Sequence, residues 1–314
     1  MLVWGHRSEL AGGGREPHSP ATTNKRCPVR VTTSGSVLIT GCSTGIGRAT
    51  AGHLSKAGHL VYASARRAED ISDLEADGCH TLALDVIDES SMRAAVERVV
   101  AERGAVGVLV NNAGYSQSGA VETVSMEDIR RQFETNVFGL TRMCQLVLPG
   151  MRAQGSGRIV NISSMGANFT FPGGGVYHAT KYAVEAISDA LRFEVRDFGV
   201  DVVVIQPGII RTEFSATAAA EVRSEDGPYA AFNAAVVRST QNVYQRGPLA
   251  RLGGGPERVA KAIERAITAR SPKIRYRVTP SARLLVYQRR LITDGMWDRF
   301  LDTQFPRPGA AGEH

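Results

Sequence analysis

From residue 35 onward, short apolar runs alternate with segments whose apolar residues recur at helical spacing. The runs are Ser36–Thr40 (SVLIT), Leu60–Ala65 (LVYASA), Thr81–Val86 (TLALDV), Val106–Val110, Arg158–Ser163, Asp201–Ile205 (DVVVI) and Lys273–Val278. Rich in β-branched residues and bounded by turn formers, they predict seven strands. Between them, Gly45–Ala57 reads as a helix, and a charged segment follows Ala65. Asp88 is placed to cap a helix that keeps Met92, Ala95, Val96, Val99 and Val100 on one face. Ser125 with Asp128 three residues later predicts a capping box for a long helix through Phe133, Val137, Leu140 and Cys144. A further helix carries Ala183, Ile187, Leu191 and Val195 on one face, and Pro256–Ala269 is amphipathic.

Strands alternating with helices imply right-handed crossovers and a parallel sheet covered on both faces. No internal repeat or mid-chain linker breaks this order. The expected fold is therefore α/β: one doubly wound, three-layer domain over residues 35–311 with a seven-stranded, mostly parallel sheet. Residues 1–34 are rich in Gly, Ser, Thr, Pro and Arg, lack periodicity and read as a disordered leader. Residues 213–250 are alanine-rich with few signals and read as a substrate lid. Residues 279–311 form an expected C-terminal helical extension.

Composition excludes several classes. No apolar run approaches the roughly 18 residues that span a bilayer, and the leader has no apolar core of signal-peptide type. Cys27, Cys42, Cys79 and Cys144 show no CxxC spacing, which argues against a zinc site or a disulfide framework and fits a reducing, cytoplasmic setting. The net charge of +6 sits mainly in the leader and after residue 270, leaving a near-neutral middle. Nucleic-acid binders place basic residues on a folded surface among aromatics, so no such partner is expected.

The first strand runs into Thr40-Gly41-Cys42-Ser43-Thr44-Gly45-Ile46-Gly47. Glycines between a strand and a helix let a pyrophosphate approach the helix N-terminus, where free N–H groups and the dipole favour an anion. The spacing is GxxxGxG, not the usual GxGxxG. At the end of the second strand, where an NAD site usually has an acidic residue, the chain has Arg66-Arg67. An arginine there suits a 2′-phosphate, with the Thr44 hydroxyl assisting, so NADP(H) is expected over NAD(H).

Residues 158–182, RIVNISSMGANFTFPGGGVYHATKY, carry the candidate chemistry. Tyr177 and Lys181 are four apart and share a helix face. A cation about 5 Å from a phenol, at an effective dielectric of about 20, favours the phenolate by roughly 3 kcal/mol, on the order of two pKa units. The pair reads as a tyrosine acid/base with its pKa lowered by lysine. A hydroxyl from the strand end, Ser163 or Ser164, can reach the same point; successive strand residues face opposite ways, so only one can serve.

Together TGCSTGIG at 40–47, NNAG at 111–114, Asn136, Ser164, YHATK at 177–181 and PG at 207–208 resemble the short-chain dehydrogenase/reductase family, in its order, over residues 36 to about 215. The resemblance implies a seven-stranded Rossmann-type sheet, hydride transfer between NAD(P) and an alcohol or ketone, and a tetrad of Asn136, Ser164, Tyr177 and Lys181. The thirteen-residue serine–tyrosine spacing selects Ser164. Asn136, a poor helix former, would hold a proton-relay water. Implied cofactor contacts are Thr40, Gly41, Ser43, Thr44, Gly45, Ile46, Gly47, Arg66, Asp85, Val86, Asn112, Ala113, Gly114, Tyr177, Lys181, Pro207, Gly208, Ile210 and Thr212. Asp85-Val86 would meet the adenine, Asn112 the adenosine side, and Ile210 and Thr212 the nicotinamide end. No metal is expected.

Met165, Phe169, Phe171 and Phe214 suggest an apolar pocket. The long insert and the tail RYRVTPSARLLVYQRRL look more like the branch handling steroids, retinoids and other bulky secondary alcohols than like acyl-carrier-protein reductases. A 3-oxoacyl thioester reductase is the alternative. A non-catalytic dinucleotide sensor is the competing class, against which the Tyr–Lys pair argues. The tail's arginines with Leu, Val, Tyr and Trp could pack on the sheet, join a dimer or touch a membrane surface. A homodimer or homotetramer is the expected assembly.

Overall fold

A computed structural model of the protein describes residues 35–213, 227–245 and 248–308. The expected leader and Phe214 lie outside these, as does Cys27. Seven strands form one sheet: β1 Ser36–Ile39, β2 Leu60–Ala65, β3 His80–Ala83, β4 Val108–Asn111, β5 Gly157–Ile162, β6 Val200–Gln206 and β7 Arg275–Arg277. Their order is β3-β2-β1-β4-β5-β6-β7, and every neighbouring pair is parallel. The strand order reverses between β1 and β4, which opens a crevice at their carboxyl ends.

Strand alternation divides the core in two. Val37, Ile39, Val110, Val160 and Ile205 face one layer, where they meet Leu54 of α1 (Gly45–Lys56) and Val259, Ile263 and Ile267 of a later helix, Pro256–Thr268. Leu38, Leu109, Ile159 and Val202 face the other, against Val99 of α2 (Glu89–Arg103), Met143 and Val147 of Leu140–Ala153, and Val184 of Gly175–Val195. Burial on both faces explains why the strands read as unbroken apolar runs. Asp88 caps α2 by accepting from the Ser90 and Ser91 N–H groups. The α2 stripe differs at one position: Val100 is 39% exposed.

The helix after Ser125 is not continuous. It divides into α3 (Met126–Phe133), a π-helical turn at Glu134–Gly139, and α4 (Leu140–Ala153). Ser125 Oγ accepts the Asp128 N–H at 3.1 Å and donates to the Asp128 carboxylate at 2.7 Å. Helix α5 (Gly175–Val195) buries Lys181, Val184, Ser188 and Val195, while Ala183 and Ile187 are only half-buried, so its inner face is turned from the expected one.

Part of the expected lid is helical: α6 spans Ala230–Gln245. Phe232, Ala235 and Val236 lie on its buried face, so the helical spacing was present in the sequence but was passed over in an alanine-rich stretch. After α7 (Pro256–Thr268) come β7, α8 (Pro280–Leu291) and α9 (Asp294–Asp302), the expected C-terminal extension. Its inner face carries Leu285, Val286 and Trp297, which pack with Met165, Phe169 and Ile209.

Candidate active site

The glycine turn is fixed from below by the β4 end. Thr40 Oγ1 accepts the N–H groups of Asn112 and Ala113, each at 3.0 Å. Asn112 Nδ2 donates to the Thr40 and Gly41 carbonyls, each at 2.9 Å. Gly41 and Gly45 have φ of +71° and +58°, a region few side chains tolerate. A Cβ on Gly47 would lie 2.2 Å from the Gly41 carbonyl oxygen. These contacts give the turn one tight conformation and aim it at the N-terminus of α1. There the Thr44 side chain makes no capping bond, and the first turn carries no acidic residue. The arrangement suits an anion.

A cleft of about 490 Å³ opens from this turn. Gly41, Ser43, Thr44, Gly45 and Ile46 line one end, with Arg66, Asp85 and Val86 beside them. Asn112, Ala113 and Gly114 form the floor. Ser164, Tyr177, Lys181, Pro207, Gly208, Ile210 and Thr212 line the other end. Thr40, Gly47 and Asn136 are buried behind the wall, so they brace the cleft without lining it. Tyr115 also lines it, as do Arg131 and Thr135, the last two of which were not singled out from sequence. Arg131 lies 5.6 Å from the Tyr115 ring, a pairing between a loop and a helix that has no local signature.

The two arginines after β2 differ. Arg67 is paired with Asp70 at 2.7 Å, whereas Arg66 is exposed at the cleft edge and bonds no carboxylate among the described residues. The glycine turn, the N-terminus of α1 and a free guanidinium fit a phosphorylated dinucleotide.

Tyr177 and Lys181 follow each other by one turn of α5, with Lys181 Nζ 5.8 Å from the Tyr177 ring centre. Lys181 is 7% exposed and donates to the Ile162 carbonyl at 2.9 Å. Burial lowers its pKa to about 8, with Glu185 acting in the opposite direction. Its ammonium therefore remains charged at neutral pH. Ser164 Oγ accepts the Gly166 N–H at 3.1 Å. Ser163 is 3% exposed, and its Oγ has no hydrogen-bond partner among the described residues.

Asn136 sits in the π-helical turn, a feature frequent at functional sites. Its Oδ1 accepts the Tyr115 N–H at 3.1 Å, and its Nδ2 donates to the Tyr115 carbonyl at 2.9 Å and to Thr180 Oγ1 at 3.1 Å. The side chain expected to hold a water is thus tied to the chain itself. It fastens the loop after β4 to α5, one residue before Lys181.

Met165, Phe169 and Phe171 do not line the cleft. Phe169 is 2% exposed, and its ring packs 5.6 Å from Trp297 and 5.2 Å from Phe171. Trp297 Nε1 donates to the Thr170 carbonyl at 3.4 Å. The C-terminal extension therefore braces the 165–171 loop from outside. Asn233 of α6 accepts the Ala120 N–H at 3.1 Å, so the described part of the lid region rests on the loop after β4. Among the described residues no cluster of three or more His, Cys, Asp or Glu could hold a metal, and no helix is long and apolar enough to cross a membrane.

A doubly wound parallel sheet with a glycine turn at its crevice, and beyond it a half-buried Tyr177 beside a buried Lys181, has the layout of a nucleotide-binding oxidoreductase. Residues 36–223 match the profile of the short chain dehydrogenase family, and the chain belongs to it. It is 37% identical over 251 residues to the 3-ketodihydrosphingosine reductase of Bacteroides thetaiotaomicron, covering 79% of this chain and 89% of that one. It is 34% identical over 273 residues to the NADPH-dependent 3-dehydrocapnine reductase of Ornithobacterium rhinotracheale, covering 83% and 94%. A short-chain dehydrogenase of Streptomyces avermitilis has a similar structure, with a TM-score of 0.70, 34% identity and coverage of 85% and 94%. The protein is an NAD(P)-dependent oxidoreductase of this family.

Proposed function

We propose that the protein transfers a hydride between NADP(H) and a secondary alcohol or ketone on a bulky, apolar molecule, with Tyr177 moving the proton on oxygen. The observation that carries this reading is the buried Lys181 ammonium 5.8 Å from the Tyr177 ring, in a cleft that begins at the glycine turn. NADP(H) supplies or accepts the hydride. Tyr177 donates a proton to the carbonyl oxygen in reduction and takes it from the hydroxyl in oxidation. A free phenol titrates at about 10 and is a poor base near neutrality; a cation beside it favours the phenolate. Ser164 Oγ accepts from Gly166 and keeps its own proton for the substrate oxygen. Asn136 holds the Tyr115 loop against α5 and so fixes the height of Lys181 in the cleft.

NADP(H) is preferred because Arg66 is left for a 2′-phosphate, while Arg67 is committed to Asp70. Among apolar ketones, one on a long alkyl chain ranks first, because a relative aligned over most of the chain is named as a 3-ketodihydrosphingosine reductase. Steroid, retinoid and aromatic ketones come next. The half-buried Ala183 and Ile187 on α5 leave a face for a second copy, in keeping with a homodimer or homotetramer. NADPH consumption against long-chain 3-ketones, steroid, retinoid and aromatic ketones and 3-oxoacyl thioesters tests the substrate class. Turnover of a free ketone supports it, and turnover of the thioesters alone would overturn it.

A further inference from the structure

The structure assigns a positioning role to His178, which sets the distance between Ser164 and Tyr177 without touching the cleft. The inference rests on the roles given above to those two residues. His178 follows Tyr177 in α5 but points away from the cleft, and it is 7% exposed. Its Nδ1 lies 2.7 Å from the Gly166 carbonyl oxygen, and its Nε2 accepts the Phe171 N–H at 3.3 Å. A carbonyl only accepts and an N–H only donates. The ring is therefore neutral, with its proton on Nδ1 and its lone pair on Nε2.

The fit around the ring is close. A Cβ on Gly166 would fall 2.5 Å from Nδ1, and one on Gly174 would fall 2.8 Å from Cδ2 and 2.9 Å from Nε2. The imidazole thus occupies a slot between two glycines, one on each side of the 165–174 loop. Phe171 and Tyr177 meet it edge-on, with ring centres 6.3 Å and 5.7 Å away.

Gly166 joins this slot to the reaction. Its carbonyl is held by His178, and its N–H is held by Ser164 Oγ at 3.1 Å. A continuous path runs from Ser164 through Gly166 to His178, and from there one peptide bond leads to Tyr177. Shifting the ring shifts the serine relative to the phenol. A misplacement of about 1 Å costs on the order of 100-fold in rate.

The test compares His178→Phe, which keeps a ring but loses both bonds, with Gly174→Ala, which keeps the imidazole but pushes on it. Gly174 has φ of −109°, so alanine adds no backbone strain there. Turnover of a ketone, NADPH affinity by fluorescence and Tm are measured for each. Both variants are expected to lose at least about 10-fold in kcat, with NADPH affinity unchanged. His178→Gln, whose amide offers one donor and one acceptor, is expected to recover part of the loss. A histidine that only fills the core would lower Tm and leave the kcat of the folded protein at the wild-type level, which would overturn the assignment. Should His178→Phe fail to fold, Gly174→Ala decides alone. Tyr177→Phe runs in parallel: if it keeps turnover, the proposed reaction fails, whereas an inactive Tyr177→Phe beside fully active His178→Phe and Gly174→Ala sinks only the positioning role.

Discussion

Lys181→Met isolates the charge that the proposed chemistry needs. The methionine keeps most of the apolar stem and removes the ammonium. At 5.8 Å from the Tyr177 ring centre, with an effective dielectric of about 20, a unit charge is worth about 3 kcal/mol. That corresponds to about two pKa units, or a factor of about 100. Burial lowers the Lys181 pKa to about 8, so at neutral pH the wild-type protein has this charge in place. The assay is the pH profile of kcat/KM for NADP-dependent oxidation of the alcohol. The limb that reports the base is expected to move about two units to higher pH, with neutral-pH activity down about 100-fold. Loss of the bond to the Ile162 carbonyl is a separate effect, about 1 kcal/mol of stability, and Tm measures it. A profile that keeps its wild-type midpoint in a folded, cofactor-binding variant would refute the electrostatic argument.

Arg66→Ala removes the guanidinium left for the 2′-phosphate; charge-assisted bonds of about 1.5–3 kcal/mol predict NADPH affinity roughly 10- to 100-fold weaker. NADH affinity should stay constant, and an unchanged NADPH/NADH ratio would exclude Arg66 from the preference. Gly47→Ala forces a Cβ to 2.2 Å from the Gly41 carbonyl oxygen; overpacking of about 1–3 kcal/mol predicts NADPH affinity weaker by about fivefold or more, and an affinity within twofold of wild type would contradict the tight turn. Burial lowers the His178 pKa, the Gly166 carbonyl acting the other way. Its folded-state pKa therefore lies below the unfolded value of about 6.5. As pH falls through that value the unfolded chain takes up the proton first, so stability is lost on the acid side. His178→Phe should flatten the fall in Tm between about pH 7 and 5; an unchanged slope would show that other groups cause it.

Strand positions and their order along the chain were legible because every strand but the two edges, β3 and β7, is buried on both faces, leaving apolar runs between turn signals. The glycine turn and Tyr177/Lys181 were legible because they depend on local spacing. The π-helical turn at Asn136 was not, since it is bound up with bonds to Tyr115 and Thr180, distant in the chain. Phe169 read as pocket lining, and its burial against Trp297 assigns it to packing. His178 was missed because both its partners are backbone groups of a loop, although glycines at 166 and 174 are the trace that its ring leaves in the sequence.

Turnover of Tyr177→Phe with NADPH and a ketone that the wild-type protein reduces tests the central claim most directly. With the phenol gone, the proposed proton donor is lost. The rate is expected to fall by at least about 100-fold, while NADPH affinity and Tm stay at wild-type values. A purified Tyr177→Phe protein that reduces the ketone at the wild-type rate would contradict the account.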